Sequence, residues 1–159
     1  MTTTPGAEAV GQIVGPFPML VEGGKIREFL RATGGSPPPL DDEPRPVIPP
    51  TFLQTTRFWE PPGTPNVLTL ANLDLRRVLQ GSQEYEFNGP PPRAGDRLTF
   101  ETSIVDVVEK VGSRGGPMRI FTIETRFRDE TGRVVAVGRA MTIETSKPPT
   151  TDDNAERSS

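Results

Sequence analysis

The spacing of apolar positions changes along the chain from a helical period to a period of two, and that change orders the predicted elements. Phe17-Pro-Met-Leu-Val21 is a short apolar run. In the segment after it, Ile26, Phe29 and Leu30 recur at helical spacing, Lys25, Arg27, Glu28 and Arg31 fall on the opposite side, and Gly34 stands where a helix stops. This predicts an amphipathic helix. A second helix is expected from Pro50-Thr51-Phe52 to Trp59. Thr51 is a suitable N-cap, and Pro61-Pro62 closes the far end because proline disfavours helical geometry in the residue before it. Leu70, Leu73, Leu75, Val78 and Leu79 form a broad apolar stripe that predicts a further helical segment over residues 70–79.

From Ser82 the alternation is that of strands. Gln83-Glu-Tyr-Glu-Phe87 alternates, Pro90–Asp96 is turn chemistry, and a long strand is expected over Arg97–Val111. The next, Met118–Arg128, places Phe121, Ile123 and Phe127 on one face. Asp129-Glu-Thr-Gly132 reads as a hairpin connection with glycine where positive φ is needed. In the last strand, Arg133–Glu144, Val135, Val137, Met141 and Ile143 share a face, and Gly138 marks a bulge or a close approach. Helical segments first and an antiparallel meander last imply an α+β fold, with helices packed on one face of the sheet.

Composition narrows the picture without changing it. A chain of 159 residues suits one domain. Its low hydrophobic content is concentrated at the two ends and in the proline-rich connection Gly34–Pro50, which predicts disordered tails at residues 1–11 and 146–159 around one domain at 12–145. A net charge of -3 with scattered arginines argues against nucleic acid as a partner. No apolar run approaches the roughly 20 residues that span a bilayer, and the N-terminus lacks the order of a signal peptide. The absence of cysteine fits a cytoplasmic protein.

The missing residue types restrict the chemistry. With no histidine and no cysteine, a Ser-His-Asp triad, a cysteine nucleophile and nearly every zinc site are excluded. Neither a phosphate loop nor a dinucleotide fingerprint is present, so neither metal nor cofactor is expected. Carboxylates, lysines, tyrosine and hydroxyls remain. Asp106, Glu109 and Glu124 lie on or beside predicted strands and read as solvated-face charges rather than catalysts.

The segment Leu79-Gln-Gly-Ser-Gln-Glu-Tyr-Glu-Phe-Asn-Gly-Pro-Pro-Pro-Arg-Ala-Gly-Asp-Arg-Leu-Thr99 resembles the signature of the MaoC-type dehydratase N-terminal domain: Gly-x-Gln, alternating aromatics, prolines, then Gly-Asp-x-Leu. Lys25–Phe29, Pro50-Thr-Phe52, Glu109–Gly112 and Asp129–Gly132 match in the same order, so the resemblance covers residues 12–145. It implies a hot-dog fold, an antiparallel sheet wrapped around a helix, paired through edge strands into a double hot dog. In such pairs one half carries a catalytic Asp and His at the start of its central helix, and the other shapes the acyl-chain tunnel. The corresponding place here reads Val47-Ile-Pro-Pro-Thr-Phe52, with neither residue, so this chain resembles the tunnel-shaping half.

On that resemblance the expected function is the non-catalytic, acyl-chain-binding subunit of a heteromeric (R)-specific enoyl-thioester hydratase, equivalently a 3-hydroxyacyl dehydratase. Its expected partners are a second hot-dog chain bearing Asp and His, and an acyl-CoA or acyl-carrier-protein thioester. A self-sufficient thioesterase or hydratase using a carboxylate, and a non-enzymatic acyl-thioester-binding homodimer, are the alternatives. Thr51, Phe52, Phe58 and Trp59 are candidate substrate-binding residues, the aromatics either lining an acyl channel or forming plain core. Gln83, Tyr85 and Phe87 are candidates for the paired edge or for an ordinary sheet face. Arg114 either meets a phosphate of the carrier arm or is simply an exposed loop arginine. Gly95-Asp96 is expected to be a structural turn.

Overall fold

The period-two half of the sequence folds as predicted and recruits one more strand from the first half. In the computed structural model, which describes residues 6–37, 45–65, 67–112 and 116–147, the strands are β1 (Ile13–Leu20), β2 (Val78–Phe87), β3 (Arg97–Val111), β4 (Pro117–Arg128) and β5 (Val134–Thr145). They form one antiparallel sheet in the order β1-β3-β4-β5-β2. β1 extends the apolar run at Phe17 backwards into a strand. Pro16 and Pro18 are tolerated there because β1 is an edge, where a missing backbone donor costs least. The β4–β5 hairpin turns at Asp129, whose carboxylate accepts from the backbone N–H groups of Thr131 and Arg133, with Gly132 at φ +84°.

Helix α1 (Gly23–Ala32) lies where the 3.6 periodicity placed it and buries Ile26 completely. Its Phe29 meets Phe52 edge-on, ring centroids 5.7 Å apart. The helix expected after Thr51 is a single 3₁₀ segment, Phe52–Phe58. Thr51 precedes it but its side chain makes no capping bond; the Phe52 N–H instead donates to the Pro49 carbonyl at 3.0 Å. Phe52 and Leu53 are fully buried, and the segment ends at Trp59 just before the prolines.

The stripe at residues 70–79 is not a helix. α2 (Val67–Leu70) ends there, Asn72 adopts φ 51°, and after a 3₁₀ turn at Leu75–Arg77 the residues Val78 and Leu79 already belong to β2. A tertiary contact decides this. The carboxylate of Glu144 on β5, 3 % exposed, accepts from the Asp74 backbone N–H at 2.9 Å and from the Arg77 guanidinium at 2.8 Å, which pulls the chain into the strand beside it. Arg119 also binds that carboxylate. Ala7–Ala9, within the tail expected over residues 1–11, forms a 3₁₀ turn with Ala9 wholly buried. Of the other expected tail, only residues 146 and 147 are described.

Two apolar clusters fill the space between the sheet and the helices. One joins Met19, Val21, Ile26, Phe52, Leu53, Leu98, Phe100 and Phe127; the other joins Ala9, Val67, Ala71, Ile104, Phe121 and Ile123. The face of β5 that carries Val137, Met141 and Ile143 is the outer one: opposite Phe127, Thr125 and Ile123 stand Ala136, Gly138 and Ala140, whereas Val135, expected on the same face, lies at a register shift and packs into the first cluster. On the outer face Glu124 is 8 % exposed, not a solvated charge as expected, and is held by Arg126 at 2.7 Å and Arg139 at 2.9 Å. Asp106 and Glu109 are exposed.

Candidate functional site

Cross-strand register divides the inner face of the sheet into rows. One row is almost wholly aromatic: Phe17, Phe100, Phe127, Ala136, Phe87. Two steps along it, Ile104, Ile123, Ala140 and Gln83 form another. Between them runs Val14, Thr102, Thr125, Gly138 and Tyr85, and this middle row separates the two apolar clusters.

Across β3, β4 and β5 the middle row carries little side-chain volume, and a hollow of about 190 Å³ lies over it. Its walls are Thr102, Thr125, Gly138, Ala140 and Thr142 from the sheet, with Leu53, Gln54, Thr56, Arg57 and Glu60 from the central segment opposite. The shortness of the 3₁₀ segment and the small residues on β5 together leave this room. Thr102 and Thr125 are only half-buried although they stand mid-sheet on the covered face. Their hydroxyls are 3.0 Å apart in a mutual hydrogen bond. At the open end the Tyr85 hydroxyl donates to Gln54 Oε1 at 2.8 Å. Burial pushes the Tyr85 phenol up to about 12. Arg57 and Glu60 pair at 3.0 Å, so the two charged groups of the lining compensate each other.

The predicted site residues separate in space. Thr51 is exposed and Phe52 is core. Phe58 is 75 % exposed, under the Lys25 ammonium at 5.6 Å from its ring. Trp59 packs partly on the first cluster and borders a separate surface groove with Met19, Leu20 and Arg97. None of these four lines the hollow, and Arg114 lies outside the described residues. Gln83 and Tyr85 do line it; Phe87 packs against the first cluster. β2 is the edge strand the resemblance implied, yet these three side chains turn inward from it. Thr102, Thr125 and Thr142 escaped sequence reading. The signal was there, as hydroxyls at positions where the alternation of Phe100, Ile104, Ile123 and Phe127 calls for apolar side chains. Asp96 is structural: it accepts from the Arg93 N–H at 2.8 Å and pairs with Arg45 at 3.0 Å.

A five-stranded antiparallel sheet curled around a short central helix, hollow beside that helix, defines a MaoC-like hot-dog domain of the dehydratase type. The chain belongs to the family described as the FAS1-like dehydratase domain region, whose model matches residues 8–137. Among solved structures it is similar to the C-terminally truncated HadBC (3R-hydroxyacyl-ACP dehydratase) complex of Mycobacterium tuberculosis, with TM-score 0.65 and 21 % identity over 85 % of this chain and 96 % of that one. The ChsH1-ChsH2 complex from the same organism gives TM-score 0.64 and 17 % identity over 89 % of this chain and 86 % of that one. The full-length peroxisomal multifunctional enzyme type 2 of Drosophila melanogaster gives 0.61 and 16 %, covering 87 % of this chain but 24 % of that one. At these identities the likeness is one of fold. A search of curated protein sequences found no match.

Proposed function

We propose that this chain is the acyl-accommodating, non-catalytic half of a two-hot-dog hydratase or dehydratase acting on acyl thioesters, and that a second hot-dog chain supplies the acid and base. The observation that carries this reading is the hollow beside the central segment, in a chain whose Val47–Phe52 stretch, at the start of that segment, offers neither acid nor base. Adding water across an enoyl thioester needs one group to take a proton from water and another to deliver one to the α-carbon, and a base poised near neutral pH does this best. The chain has no histidine. The carboxylate of the lining, Glu60, is paired with Arg57 at 3.0 Å. HadBC and ChsH1-ChsH2 are named as complexes, which supports a two-chain assembly here. The thioester carrier is CoA or an acyl-carrier protein.

The test is hydration of crotonyl-CoA and longer enoyl-CoA substrates, first by the purified chain and then with a histidine-bearing hot-dog chain added. We expect no turnover from the chain alone and turnover from the pair. Turnover by the chain alone on the order of 10 per second, the median for enzymes, would overturn the reading.

A further inference from the structure

A tunnel for an unsubstituted alkyl chain gains nothing from hydroxyls in its wall, because covering them with methylenes strips their water and returns no hydrogen bond. In this chain the middle row places Thr102, Thr125 and Tyr85 in the wall of the hollow, and Gln54, Gln83 and Thr142 add further polar groups to it, beside the apolar Ile123 and Phe127 of the flanking rows. Gly138 and Ala140 keep the row open by contributing almost no side chain.

The hydrogen-bonding capacity of this row is only partly used. Thr102 and Thr125 share one bond, which occupies one of their two protons and leaves lone pairs on both oxygens. Tyr85 spends its proton on Gln54 Oε1, which leaves the phenol oxygen as an acceptor and the Gln54 amide as a donor. Both donors and acceptors therefore face the same space. Among the described residues the charges in the lining, Arg57 and Glu60, pair with one another, so they offer no net charge to a ligand carboxylate.

Resting on the acyl-site reading above, we propose that the acyl group accommodated here carries, beyond the C3 oxygen of the reaction itself, a neutral oxygen function, a hydroxyl or keto group further along its chain, which the Thr102–Thr125 hydroxyls and the Tyr85–Gln54 pair recognise. A site built to hydrogen-bond a substrate oxygen rejects the analogue that lacks it, because its own polar groups are then left desolvated and unpaired.

The purified full chain is titrated calorimetrically with decanoyl-CoA and with a series of decanoyl-CoAs bearing one hydroxyl or keto group at successive carbons from C4 outward. At least one oxygenated member should bind tenfold or more tightly than decanoyl-CoA. Thr125→Val should abolish that preference and Thr125→Ser should keep it, with thermal unfolding confirming that both variants fold. If decanoyl-CoA binds as tightly as every oxygenated analogue, the hollow is a water-filled packing defect as far as specificity goes, and the proposal falls while the acyl-site reading stands. A preference that survives in folded Thr125→Val overturns the assignment to this row. If no acyl-CoA binds at all, the acyl-site reading falls and takes this proposal with it.

Discussion

Gly138 on β5 stands opposite Tyr85 on β2, and a Cβ placed on that glycine would come within 2.9 Å of the tyrosine ring. The backbone of Gly138 needs no special dihedral; what it provides is room for the ring to lie across β5 and reach Gln54. Gly138→Ala should therefore displace the ring, break the Tyr85–Gln54 bond and cost about 1–3 kcal/mol, as overpacking typically does. Tyr85 is the only tyrosine in the chain, so ultraviolet titration reads it alone. Its phenol should fall from about 12 back towards 10.0 in the variant, and an unmoved titration would show the ring undisturbed.

The three residues Phe52, Leu53 and Phe58 share one short segment and should respond differently to truncation. Phe52→Ala removes a fully buried ring and should cost about 3–5 kcal/mol, whereas Phe58→Ala, at a position 75 % exposed, should stay within about 0.5 kcal/mol. Leu53 is both core and cavity wall. Leu53→Ala should cost about 2–5 kcal/mol and also enlarge the hollow. Denaturant unfolding gives the ranking. In the assembled pair, the ratio of kcat/KM for long against short enoyl thioesters should rise for Leu53→Ala and stay level for Phe58→Ala.

Acid stability should depend on Glu124. Burial pushes this carboxyl up, but the hydrogen bonds from Arg126 and Arg139 outweigh burial and hold it below its ordinary 4.5. The folded state therefore binds this proton less readily than the unfolded state. The stability it contributes is complete above pH 4.5 and is lost as pH falls through the lower folded value. Glu124→Gln should cost about 1–3 kcal/mol near neutral pH and flatten the loss of stability below pH 4.5. Unfolding midpoints measured from pH 7 down to pH 3 check both; parallel curves for variant and parent would refute the assignment.

The free edge of β2 gives the assembly a direct probe. Its outer side has no strand beside it among the described residues, and unpaired backbone groups there invite another strand. Because the chain contains no cysteine, Ser82→Cys provides a single thiol on that strand. Its labelling by a maleimide should be fast in the isolated chain and at least tenfold slower once the second hot-dog chain is added. Equal rates with and without that chain would place the contact elsewhere.

What the sequence determined by itself were the features that local patterning controls. The strands from Arg97 onward, the Asp129–Gly132 turn and helix α1 follow from periodicity and turn chemistry, which act over a few residues and need no distant partner. The absence of histidine likewise constrained the chemistry before any coordinates. Tertiary structure decided the rest. Residues 70–79 carry a stripe that suits a helix or a turn followed by a strand, and only the buried Glu144, some seventy residues away, selects the second. The alternation of β2 showed that Gln83, Tyr85 and Phe87 share a face, but an edge strand's two faces look alike until the rest of the sheet sets the register. The hollow could not be read from any one segment. It exists because threonines on β3 and β4, a glycine on β5 and a short 3₁₀ segment coincide, and that coincidence is a property of register between strands.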